Sequence, residues 1–187
     1  LHPVILENPK HLDRKTFIFD RGNWMTTKDE VKPDVPMILN DWDEKWGKNR
    51  LGFSKWITSK ENPLTARTIV NRIWYKIFGR GIVNSIEDMG TQSETPSHPA
   101  LLDWLAYEFM NEMNWSIKKL IKTILMSSTY RQNSIISNDK LSIDPNKIYY
   151  SRGPRLWLEA EQIRDQALFI SGLLSKKMYG PGVMPPQ

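Results

Sequence analysis

His98, Asp88 and Glu94 are the residues whose types and spacing could support acid–base chemistry in this chain. An imidazole titrates near neutral pH, so His98 with Asp88, Glu94 or Asp103 close by in sequence could act as a general base or a metal ligand. A metal centre wants three or more converging ligands, often two of them one helical turn apart. The remaining histidines, His2 and His11, lie far upstream, and no such pair exists. No metal site is therefore expected, and a structural role in the first turn of a helix is the competing reading of His98. Glu87, Asp88 and Glu94 supply carboxylates, and a glycosidase needs two of them about 5–10 Å apart. Acids ahead of a helix also complement its dipole without catalysing anything.

Arg72, Arg131 and Arg164 each sit inside an apolar helical pattern or beside an aromatic residue. A guanidinium can grip a carboxylate or sulfate group with two parallel hydrogen bonds. It can equally pair with Asp103, Glu159, Glu161 or Asp165 and hold helices in register. Trp24, Trp42, Trp46 and Trp115 fall outside the regular helical stripes, where a ring can stack on a sugar or a partner protein, or be buried under the arm. Lys118, Lys119 and Lys122 form one charged face, which reads as a solvated helix surface.

These side chains must be positioned by helices. Asn62 and Pro63 open one that runs from Leu64 to Phe78, with Ala66, Ile69, Val70, Ile73, Trp74, Ile77 and Phe78 on one stripe. Gly79 follows where a left-handed cap is needed, so Gly79-Arg80-Gly81 closes a helix and is no phosphate loop. Ser97 is the expected cap of a second helix, with Pro99 in its first turn and Leu101, Leu102, Leu105, Phe109 and Met113 facing inward. A third begins after Ser116 and turns Ile117, Leu120, Ile121, Ile124 and Leu125 to the core. A last long helix is expected from Leu156 to Leu174, with Leu158, Ile163, Ala167, Ile170 and Leu174 as its seam. A shorter one is expected in the stretch from Arg50 to Ser59, and a loop from Ser137 to Lys147. Upstream, Thr16–Gly22 reads as one short strand, and the prolines at 33 and 36 favour an extended arm.

Composition bounds the rest. The chain has 187 residues, 40% of them apolar and 25% charged, with eight tryptophans and no cysteine. The missing cysteines exclude disulfides, thiolate metal sites, a cysteine nucleophile and haem attached through cysteine pairs. The net charge of +5 is spread with acids between the bases, so nucleic acid is an unlikely partner. No stretch is long and apolar enough for a membrane span. The opening at Leu1 and the ending in GPGVMPPQ predict a piece of a larger protein.

Four stretches, NPLTARTIVNRIWYKIFGRGIV, DMGTQSETPSHPALLDWLAYEF, WSIKKLIKTILMSSTYRQ and RLWLEAEQIRDQALFISGLL, together resemble the C-terminal domain of unknown function of planctomycete-type cytochrome-c-associated proteins. TFIFDRGNW and VKPDVPMIL resemble the arm that precedes it, and GPGVMPPQ the opening of the next motif. The resemblance implies an exported protein, periplasmic or on the cell surface, linked to polysaccharide use. It implies haem only in a separate upstream domain, no cofactor in this segment, and partners among neighbouring domains or carbohydrate. It implies no activity. Ala100 departs from the family's usual acid, which removes a capping box. A usual glycine is replaced around Thr27–Asp29, which puts the turn there in doubt.

The expected architecture is all-α: an irregular helical bundle over residues 49–180, an extended arm over 1–48 that holds at most one short strand, and the start of a further motif over 181–187. Two functions compete, with polyanion binding through the basic surface as a third option. One is a structural or interaction module that positions an upstream redox unit. The other is one wall of a hydrolytic or redox pocket for carbohydrate at residues 79–98.

Overall fold

The structure is a computed structural model that describes residue 6 and residues 8–180. The core is built where the apolar stripes are cleanest. α1 (Arg50–Ile57) leads to α2 (Thr65–Phe78), whose Ala66, Val70, Trp74 and Phe78 recur every four residues and are all buried. That spacing keeps them on one side of a helix with 3.6 residues per turn. α3 (Pro99–Met110) packs against α2 through Leu102, Leu105, Ala106 and Phe109. α4 (Ile117–Met126) closes the group with Leu120 and Ile124. Ile82 and Val83 of the joint and Tyr150 of the returning chain fill the remaining space.

Local chemistry sets the helix ends. The Asn62 side-chain oxygen accepts from the backbone N–H of Leu64 at 3.0 Å and of Thr65 at 3.1 Å, so this asparagine caps α2. Gly79 takes φ 76°, and its N–H donates to Tyr75 O at 2.7 Å. That left-handed turn is the reason glycine stands there. The Ser116 hydroxyl accepts from Lys119 N and opens α4. The expected Ser97 cap is not formed: Ser97 N–H and its hydroxyl both donate to Ile82 O, at 2.8 and 3.1 Å, and His98 occupies the cap position.

The all-α expectation is overturned. Among the described residues, a two-stranded antiparallel sheet stands beside seven α-helices. β1 (Thr16–Asp20) is the anticipated strand, but it turns at Arg21 and Gly22 and pairs with β2 (Asn23–Val31). Both turn residues have positive φ, 50° and 79°. That is the two-residue turn whose twist matches a hairpin. The arm thus supplies its own partner strand. Lys15–Glu30 and Lys28–Asp20 ion pairs, at 3.1 and 2.7 Å, cross the ladder. Val31 ends β2, and Pro33 stops the ladder because it has no N–H to give.

Three helical expectations also change. Beyond α4 the chain forms a short α5 (Ser128–Arg131), and the expected loop at 137–147 contains α6 (Asn138–Ile143), capped by Ser137. Ile117, assigned to the core, is half-exposed. The last helix, α7 (Ala160–Ile170), is shorter than Leu156–Leu174 and buries none of its side chains. Its start is delayed to Glu159, whose extended backbone N–H donates to Gln162 Oε1 at 3.1 Å. Residues 181–187, expected to open a further motif, lie outside the described residues, as does His2.

Candidate functional site

The joint between α2 and α3 is organised around one of the buried polar side chains. It is folded back by one side chain. Asn71, on α2, is 0% exposed. Its amide donates to Val83 O at 3.0 Å and accepts from Val83 N–H at 2.9 Å. That reciprocal pair imitates a sheet hydrogen-bond pair and seats Ile82 and Val83 in the core. Gly81 is needed beside it, since a Cβ there would lie 2.9 Å from Asn71 Oδ1. Tyr150, at φ 51°, reaches back across the joint and donates to Gly81 O at 3.0 Å. Burial pushes its phenol above the ordinary value, opposed by the nearby Trp74 and Ser97 side chains. The Trp74 ring packs edge-on against that of Tyr150, centres 5.3 Å apart, and its buried indole N–H finds no hydrogen-bond partner among the described residues.

A second anchor holds the return of the chain from α6. Asp144 is 2% exposed and accepts backbone N–H groups of Ile148, Tyr149 and Ser151 at 2.7, 3.2 and 3.3 Å. Burial acts to raise its pKa, but the hydrogen bonds outweigh it and the carboxyl is held below its ordinary value. Arg152 clamps the same turn by donating to Asp144 O and Pro145 O at 2.7 and 3.0 Å. Burial first, then the nearby Arg152 charge, lowers the pKa of Lys147 in this turn.

The acid–base candidates do not assemble. His98 is half-buried; its ring centre lies 5.5 Å from that of Tyr150 and its Nδ1 3.0 Å from Ser97 Oγ. The Ser97 hydroxyl is also placed to donate to Ile82 O, at 3.1 Å. An activated serine nucleophile would direct that proton to the imidazole and not to a backbone carbonyl. Asp88 is exposed and accepts Gly90 N–H at 2.7 Å, a local turn. Glu94 is exposed and lies 3.8 Å from Arg80. Among the described residues, no three of His, Asp or Glu form a group that could hold a metal ion.

The three candidate arginines stand on different elements. Arg72 on α2 and Arg131 at the end of α5 are exposed; Arg164 on α7 meets only its neighbour Asp165, at 3.4 Å. The ion pair between helices is instead made by Arg67 of α2 and Asp103 of α3, at 2.7 Å. Of the tryptophans outside the stripes, Trp24 is exposed, while Trp42, Trp46 and Trp115 are half-buried.

A cleft of about 320 Å³ does open beside the joint. Arg67, Asp103, Glu94 and Ser93 stand on its walls, with Val83 and Leu102 among its apolar lining. Of His98, Asp88 and Glu94, Glu94 alone lines it, together with Asp103. Sequence reasoning missed Asn71, Tyr150 and Asp144, which do the positioning. An asparagine beside the apolar stripe of α2 was an advance signal for the first of them.

No helix among the described residues is long and apolar enough to cross a membrane. No curated protein and no solved structure matches the chain. Residues 49–187 match the model of the PSD1 family, described as protein of unknown function (DUF1553), so the match starts where the hairpin arm ends and α1 begins, and the chain belongs to that family.

Proposed function

We propose that the chain is a structural and interaction module of a larger exported protein, with residues 49–180 as a helical unit and 1–48 as its leading arm. In this reading it packs on neighbouring domains of that protein, which is cytochrome-c-associated, periplasmic or cell-surface, and linked to polysaccharide use. Haem belongs to an upstream domain. The sequence resemblance supports the setting. One structural observation carries the packing role: most large apolar side chains of the last described segment are exposed. Trp157 is 99% exposed, and Leu158, Ile163, Phe169, Ile170 and Leu173 are each at least half exposed. Large apolar side chains left exposed in one segment fit an interaction face.

Hydrogen exchange on the full-length protein tests the role. Amides of Ala160–Ile170 should exchange much more slowly there than in this chain alone, and Trp157→Asp should remove the difference. Equal exchange in both settings rejects the proposal. The cleft beside Glu94 favours a second reading, an enzymatic pocket for carbohydrate completed by another domain. Glu94→Gln should then lower glycan turnover by the full-length protein about a hundredfold or more, as loss of a general acid or base does.

A further inference from the structure

A second cavity, also of about 320 Å³, lies at the seam between the arm and the family-matched region. Pro33 and Trp42 reach it from the arm, and Phe53 reaches it from α1. The volume is at the lower end of what small-molecule pockets offer, and the walls are mostly apolar and aromatic, as such pockets require. Two tight features hold it open. The Trp42 ring is pressed against α1 at Gly52, where an added Cβ would lie 2.9 Å from Trp42 Cζ2. Phe53 stacks on the buried Trp56, ring centres 5.7 Å apart at 15°. The aromatic walls are therefore braced from behind.

The polar lining is weighted toward donors, with one carboxylate among them. Its carboxylate, Asp34, already accepts Val35 N–H at 2.9 Å. Asn49 spends its acceptor oxygen on Gly52 N–H at 2.8 Å, which leaves its NH₂ as donor. Arg50 donates to Leu6 O at 2.9 Å and brings a positive charge. Lys48 lines the cavity and makes no ion pair among the described residues. Donors and positive charge gather at the start of α1, where the helix dipole adds to them. The lining thus carries more donors than acceptors, with Asp34 as its one carboxylate, and offers a flat apolar wall.

The geometry points to a binding site for a small organic anion with a planar ring, seated between Trp42 and Phe53 with its charged group toward Lys48 and Asn49. The ligand would staple the arm to α1, because its contacts come from both. This site is independent of the packing face on α7.

Ligand-detected NMR on the full chain tests it, with 2-naphthoate as probe, 2-naphthamide as its neutral counterpart and cyclohexanecarboxylate as its non-planar one. The naphthoate should bind, with tryptophan fluorescence quenched, and both counterparts should bind about tenfold more weakly. Trp42→Leu should remove binding. Lys48→Glu alters an exposed lysine, leaves folding intact and should weaken naphthoate about tenfold without changing naphthamide. Equal binding of acid and amide, or naphthoate binding unchanged in Lys48→Glu, overturns the assignment.

Discussion

α2 and α7 are both amphipathic helices, of 14 and 11 residues, yet α2 buries five side chains and α7 none. Both have an apolar seam at helical spacing, and both stop at a left-handed glycine, Gly79 directly after α2 and Gly172 just past α7. The difference lies in what surrounds them. α2 meets α3, α4 and the returning chain at Tyr150, and Asn71 pulls the joint over its end. After Arg152 the chain leaves the last buried anchor and nothing in the described residues covers α7. Period alone makes a helix two-faced; burial of one face needs a second surface of matching shape.

The comparison breaks most visibly in stability. Phe109→Ala empties a fully buried site in α3 and should lower the unfolding free energy by about 3–5 kcal/mol in urea denaturation. Phe169→Ala on α7 removes a ring already 65% exposed and should change it by no more than about 0.5 kcal/mol. Similar losses in the two variants would mean that α7 is packed after all.

A smaller effect tests where the two regions meet. Leu156 leads into α7, and its side chain lies over Gly79, inside the space that a Cβ would need. Gly79→Ala therefore forces both a left-handed alanine and displacement of Leu156. It should cost about 1–2 kcal/mol. It should also speed backbone exchange at residues 154–159. A change in stability without that second effect would show that Leu156 does not tether the segment.

The smallest effect sharpens the boundary by pH. The folded carboxyl of Asp144 titrates below its ordinary value of 3.8, so the unfolded chain binds more protons in the window beneath that value. Its stabilisation is present above about pH 4 and is lost as pH falls through the lower folded value. Asp144→Asn should lower stability at pH 7 by about 1 kcal/mol and flatten the acid limb of the curve. An unchanged acid limb would show that the turn does not depend on the charge.

Much of the helical core was legible in the residues. The stripe from Ala66 to Phe78, the caps at Asn62, Gly79 and Ser116, and the inward Leu102, Leu105 and Phe109 follow from spacing and local hydrogen bonding alone. Local chemistry of that sort is written into a few consecutive residues. The hairpin was half legible: Thr16–Asp20 alternates, but β2 carries Lys28, Asp29 and Glu30 and exposes both faces, so its pattern announces no strand. The Ser97 hydroxyl turned to Ile82, fifteen residues away, rather than to its own helix.

What the amino-acid order settled by itself is which segments coil and where glycine, asparagine and serine end them, because those choices cost energy within one or two turns. Only the tertiary structure decided that Asn71, Tyr150 and Asp144 hold the joint and the return, that His98 and Asp88 stay apart from the cleft beside Glu94, and that α7 is left bare. Each of these depends on contacts between residues distant in sequence, and no local preference ranks one such contact above another.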